Sequence, residues 1–293
     1  MHLSNKKIIK LCMVCLLSIV GACTDTVKGG ADNSPRLTLN DTSVIVGKLA
    51  EGGRTESFLG VPFAQPPVGD LRWAPPQPLA KPSAVPQKNE FPAACMQGDH
   101  IAKWYKNVAA GFGGDPELIK HPEVSEDCLY LNIWRPTTEA QSAELLPVIV
   151  YIHGGSNKGG WSYEPNYIGH NLASKGVIVI SIAYRLGVFG FFSHPTLEHS
   201  NFGLLDQVAA LQWVNDNAVA LGGDAERITV MGESAGANNI DHLITMPSGK
   251  GLFSQVIHQS GGSSLTNRGI RKAHLKLGEA FANFTLGDDA NQP

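Results

Sequence analysis

The sequence predicts an α/β protein with a mainly parallel central sheet flanked by helices, and three observations carry that prediction. Short β-branched apolar runs recur at residues 147–153, 177–183 and 227–231, the pattern of strands buried on both faces. Between the last two runs, Leu204, Val208, Leu211, Trp213, Val214 and Val219 recur at helical spacing and leave a broad apolar face. Glycines follow the first and third runs directly. Strand, helix, strand in this order gives a sheet whose crossovers cover its faces. A further helix is expected after residue 234, a fourth strand at 253–258, and a last helix over 273–284.

The bulk properties permit such a core. The chain has 293 residues, 43% of them hydrophobic, with 32 glycines and 18 prolines and a formal charge of −3. That length accommodates one large domain. The weak acidic balance provides no basic surface for a nucleic acid.

The first 22 residues read as a signal peptide: Lys6, Lys7 and Lys10 precede an apolar run at 11–20, and Gly21 and Ala22 close it. The run is well short of the ~20 residues of a spanning helix. Val20-Gly21-Ala22-Cys23 resembles the bacterial lipobox, which makes Cys23 the expected lipid anchor and the cell envelope the expected location. Loss of the leader removes three lysines and no acid, which takes the charge from −3 to −6. Residues 23–36 are small and polar and read as a flexible tether, with ordered structure expected from Leu37. From there to residue 94 the chain shows short β-type pieces and is dense in proline, including Pro62, Pro66, Pro67, Pro75, Pro76 and Pro78. That composition suggests a segment that wraps a surface and forms no helices. Cys12 and Cys15 leave with the leader, so Cys95 and Cys128 remain and can either pair or stay as two buried thiols.

The chemistry centres on Gly232-Glu233-Ser234-Ala235-Gly236, which follows an expected strand and opens an expected helix. That is the context of a nucleophile elbow in an α/β-hydrolase. Glycine on either side lets a tight turn fit, and the strain leaves the serine hydroxyl protruding. The free N–H groups at the start of the following helix face the place where an oxyanion develops. His153-Gly154-Gly155-Ser156 closes the first strand and reads as an oxyanion loop, or, taken alone, as an ordinary glycine turn.

Six further blocks appear in order: residues 58–73 (FLGVPFAQPPVGDLRW), 126–134 (EDCLYLNIW), 184–187 (YRLG), 201–207 (NFGLLDQ), 222–236 (GGDAERITVMGESAG) and 259–261 (QSG). With them the chain resembles the type-B carboxylesterase and cholinesterase family from about residue 46 to near its end. The resemblance implies an α/β-hydrolase acting on a small or medium uncharged carboxylic ester. It implies that Ser234 is acylated, that Gly155, Ser156 and Ala235 supply oxyanion-hole N–H groups, and that Cys95 pairs with Cys128. Ser156, Asn157, Ala183 and Leu221 depart from the family's usual residues, and Asn157 is the one expected to alter the acyl pocket.

In this fold the acid and histidine follow the serine, and 59 residues follow Ser234. The expectation is therefore an incomplete domain over 37–293 whose triad partners lie outside the chain. His242 is expected ~12 Å down the helix from the serine, and His258 at a strand end with no evident acid to orient it. His274 reads as exposed, and His153 as part of the turn. A non-catalytic binding module of the same fold is the competing class, but such a module has no need of a strained serine. An inactive remnant with an exposed sheet edge is the third reading. No metal-ligand or P-loop spacing occurs, so no cofactor is expected. The glycosylation sequons at Asn40 and Asn283 are assigned no role.

Overall fold

The apolar runs become adjacent strands in the computed structural model, which describes residues 34–50, 52–79, 89–137, 144–262 and 271–286. The leader, Cys23 and most of the tether lie outside the described residues. In chain order the elements are β1 (Arg36–Thr38), β2 (Val44–Val46), β3 (Lys48–Leu49), β4 (Thr55–Pro62), β5 (Ala94–Cys95), α1 (His100–Gly111), β6 (Val124–Ser125), β7 (Tyr130–Pro136), β8 (Leu146–Ile152), α2 (His170–Ala173), β9 (Ile178–Ile182), α3 (Gly187–Phe191), α4 (Phe202–Asn217), β10 (Gly223–Glu233), α5 (Ala235–Thr245), β11 (Gln255–Gln259) and α6 (Arg271–Leu286).

The central sheet has the order β11-β10-β8-β9-β7-β4-β3. Its β9-β8-β10-β11 half is parallel, as the alternation of strand and helix requires. The β9-β7-β4-β3 half is antiparallel. All five residues of β9 are buried, which explains its uninterrupted run of apolar residues broken only by Ser181. The buried Asn132 amide on β7 donates to the Ser181 and Ser162 hydroxyls at 3.3 and 3.0 Å, so that break is satisfied. Phe58, Leu131, Ile133, Val148, Val150, Ile180, Leu211, Val214, Val230 and Ile240 meet in one core.

Two expectations need correction. The proline-rich stretch does not only wrap the surface: β4 enters the sheet between β3 and β7 with Phe58 fully buried. Its prolines gather after Pro62, where the chain leaves the sheet and no ladder N–H is lost. Val219 lies beyond the C-terminus of α4 and is 62% exposed, so the helical stripe ends at Val214. Strand β10 begins four residues before the apolar run, with a register shift between Gly223 and Ile228 that admits the polar residues 224–227.

Buried ion pairs fasten the antiparallel half and the loop crossing it. Arg135 on β7 pairs with Glu56 on β4. Arg185 donates to both carboxylate oxygens of Asp206 on α4 at 2.8 Å, and also to the carbonyl of Arg72 at 2.8 Å. One guanidinium thereby ties the proline-rich segment, the loop after β9 and α4 together.

Candidate active site

Ser234 occupies the one-residue turn between β10 and α5, with φ +52° and ψ −116°. A left-handed φ on a non-glycine residue costs on the order of 1–3 kcal/mol and persists only where packing enforces it. The packing here is unusually close. A Cβ on Gly236 would lie 2.1 Å from the carbonyl oxygen of Ile152, and one on Gly232 would lie 2.6 Å from the carbonyl carbon of Gly236. Both motif glycines are therefore required by contact with backbone, which cannot move aside. The Ser234 N–H donates to the Gln259 carbonyl at 2.8 Å, which anchors the turn to the neighbouring strand.

The chain after β8 lies directly against this turn: a Cβ on Gly154 would sit 3.2 Å from the Cβ of Ser234. Gly155, Ser156 and Asn157 follow with φ of +90°, +58° and +55°, a left-handed coil closed by the N–H groups of Lys158 and Gly159 donating to the Gly155 carbonyl. Ala235 is the first residue of α5, and its N–H has no intrahelical acceptor. The three N–H groups singled out in the sequence thus belong to two segments that meet beside Ser234. The carboxamides of Asn157 and Asn239 join these segments through two mutual hydrogen bonds of 3.2 and 2.9 Å. Asn157 is one of the residues that depart from the family's usual pattern, and its side chain is used in that clasp.

His153 is fully buried and stacks on Tyr184 with ring centroids 4.5 Å apart. Its Nδ1 donates to the Gly154 carbonyl at 3.0 Å. Burial pushes its pKa down to about 4, so the ring is neutral and serves the turn. His258 needs correction: an acid does orient it, since its Nε2 lies 3.1 Å from Asp241 Oδ1 on α5. The pair spans β11 and α5, seven residues beyond the serine, and His258 packs against Gly261. His242 lies further along α5 and His274 is an exposed residue of α6.

A cavity of about 320 Å³ opens at Ser234, lined by Gly154, Gly155, Glu233, Glu164, Tyr167 and three residues of α1, Ile101, Trp104 and Tyr105, with Asn166 at its edge. Among the described residues, no histidine lines it. Glu164 is buried and accepts a hydrogen bond from the Tyr105 hydroxyl at 3.2 Å. Burial is the main cause that pushes its pKa up to about 7, and burial also raises Glu233. Glu164 carries no direct signal in the sequence, because nothing local distinguishes it from a loop carboxylate. Helix α1 was legible but missed: Ile101, Trp104, Tyr105 and Val108 recur at helical spacing.

Cys95 and Cys128 form a disulfide with sulfurs 2.05 Å apart, as the family resemblance implied. It closes the segment that carries α1, and a loop of this size contributes ~3.5 kcal/mol on the chain-entropy estimate.

A model of the Carboxylesterase family matches residues 38–287. The fumonisin B1 esterase of Sphingopyxis macrogoltabida is 42% identical over 245 residues, 81% of this chain and 41% of that protein. Carboxylesterase 1C of Mus musculus is 43% identical over 236 residues, 80% of this chain and 41% of that protein. Among solved structures, a thermophilic PNB esterase superposes with a TM-score of 0.75 at 34% identity, covering 88% of this chain and 50% of that one. The architecture is that of an α/β-hydrolase. The chain spans 41% of the length of these two curated relatives.

Proposed function

The chain belongs to the carboxylesterase family, and we propose that it provides the nucleophile and oxyanion hole of a serine carboxylesterase. In this reading Ser234 Oγ attacks the carbonyl carbon of a small or medium uncharged ester, and its proton passes to a base. The N–H groups of Gly155, Ser156 and Ala235 receive the developing oxyanion, assisted by the positive end of α5. Collapse of the tetrahedral intermediate expels the alcohol and leaves an acyl-serine, which water then hydrolyses to the acid. The observation that carries the reading is the strained conformation of Ser234, held against Gly154 by packing that forbids any side chain at Gly236. Among the described residues no histidine lines the cavity at Ser234.

A serine-directed fluorophosphonate tests this. Labelling of the purified chain should map to Ser234 and disappear in Ser234→Ala; label retained by that variant refutes the assignment. Export and lipidation at Cys23 are part of the same proposal, and a disulfide between Cys95 and Cys128 supports an oxidising compartment. Cells treated with globomycin should accumulate the uncleaved precursor, and an unshifted band refutes lipidation.

A further inference from the structure

The catalytic reading leaves Glu164 without a task. The residue is 5% exposed, and an ionised carboxyl in such a place is costly to desolvate. Its hydrogen-bond donors are the hydroxyl of Tyr105, at 3.2 Å, and the backbone N–H of Trp161. The first of these joins α1 to the loop that follows the oxyanion turn.

Helix α1 also meets the loop after β8 through His100 and Ile101, which pack against Gly159. Of its twelve residues only Ala102 and Tyr105 are buried, and they belong to a small cluster with Ala94 and Trp161 that is separate from the main core. Before the helix, Gln97 exchanges two hydrogen bonds with the backbone of Gly160, at 2.7 and 2.8 Å. Beyond it, Lys106 reaches Glu117 at 3.2 Å on the exposed side, where such a pair contributes little. Among the described residues, Tyr105–Glu164 is the buried side-chain hydrogen bond that leaves the helix. On the same helix, Trp104 is 55% exposed yet lines the Ser234 cavity together with Ile101.

We propose that Glu164 is a positioning residue: by accepting the Tyr105 hydroxyl it holds α1 over Ser234, and so sets how large an ester group the Ile101–Trp104 wall admits. The assignment rests on Ser234 being the nucleophile. The groups that face Glu164 are Tyr105 on α1, Tyr151 on β8, Tyr184 after β9, and Tyr167 and Glu233, which share the cavity. None is a cation, so deprotonation of Glu164 finds no countercharge. Burial favours the protonated form of Glu164 and outweighs the Tyr105 and Trp161 hydrogen bonds, which favour the carboxylate, so raising the pH through neutrality should loosen α1 by drawing water to the carboxylate.

Hydrogen exchange over residues 100–111 tests this in the full chain, with rates corrected for intrinsic pH dependence. Glu164→Ala and Tyr105→Phe should each speed exchange there about tenfold, as loss of one buried hydrogen bond allows, with the β8 and β9 amides unchanged. Glu164→Gln keeps an acceptor for Tyr105 and should stay protected, but lose the decline in protection between pH 6 and pH 8. In parallel, the rate ratio of a small to a bulky fluorophosphonate at Ser234 should fall several-fold in Glu164→Ala. Wild-type exchange at α1 in both Tyr105→Phe and Glu164→Ala overturns the proposal. So does a Glu164→Gln protein with an intact pH response, or a loosened α1 with an unchanged ratio. The exchange measurements decide whether Glu164 holds α1 independently of whether Ser234 labels.

Discussion

Asn157 and Asn239 hold each other by two side-chain hydrogen bonds, and through them the loop after β8 is clasped to the helix that begins at Ser234. The Tyr184 hydroxyl supports the clasp by donating to the His153 carbonyl at 2.8 Å and to Asn157 Oδ1 at 3.3 Å. Asn239 is 1% exposed, so its loss leaves Asn157 short of a partner that water cannot readily replace. Asn239→Leu should cost ~1–3 kcal/mol of stability, read as a lowered midpoint in urea unfolding. It should also raise hydrogen exchange at residues 155–158; unchanged exchange there would remove the clasp from the account of the oxyanion loop.

Gly236→Ala should be among the most damaging single-methyl additions. Its Cβ would meet the Ile152 carbonyl at 2.1 Å, so β8 and α5 must separate. We expect a loss of at least ~2 kcal/mol, within the range for overpacking against backbone, and loss of fluorophosphonate labelling even where the fold survives. Circular dichroism melting and labelling, measured on one preparation, check both.

The Arg185–Asp206 pair is buried on both sides, with side chains 3% and 0% exposed. Asp206→Asn leaves the guanidinium without its countercharge and should cost ~3–5 kcal/mol. Replacing both partners with Met and Leu should cost less than the sum of the single replacements. A double-mutant cycle in urea measures the coupling, and additive costs would mean that the two charges do not depend on each other.

Stability should decline as the pH rises from about 5 to 8. Glu164 has a pKa near 7 in the folded chain against an ordinary value of 4.5, so the folded state holds the proton more tightly than the unfolded state does. Its contribution is fully present below 4.5 and is lost as the pH rises through 7. The shift corresponds to at most ~3 kcal/mol. Glu164→Gln should flatten this part of the profile, which urea titrations at pH 5 and pH 8 would show. An equal decline in the variant would assign the effect to other groups.

The parallel strands and the elbow were legible because their signals are local. A β-branched run reports burial on both faces, and glycine on either side of a serine reports a turn with no space for side chains. Helix α1 carried an equally local signal, the spacing of Ile101, Trp104, Tyr105 and Val108, which the density of prolines and loops around it obscured. The antiparallel strand β4 was legible only as a short β-type piece, because its place between β3 and β7 depends on distant segments. The Asp241–His258 pair was not legible, since it joins a helix to a neighbouring strand and depends on how the two lie against each other.

By itself, the sequence determined which serine is strained, which glycines must be glycine, and which two cysteines remain to pair. These follow from covalent geometry and short-range sterics, which a few neighbouring residues settle among themselves. Only the tertiary structure decided that Asn157 and Asn239 meet across 82 residues. Only it decided that Glu164 is buried beneath Tyr105 and that α1 forms a wall of the Ser234 cavity. Burial, and with it the protonation of a carboxyl and the worth of a hydrogen bond, depends on what distant segments exclude water, and no local pattern encodes that.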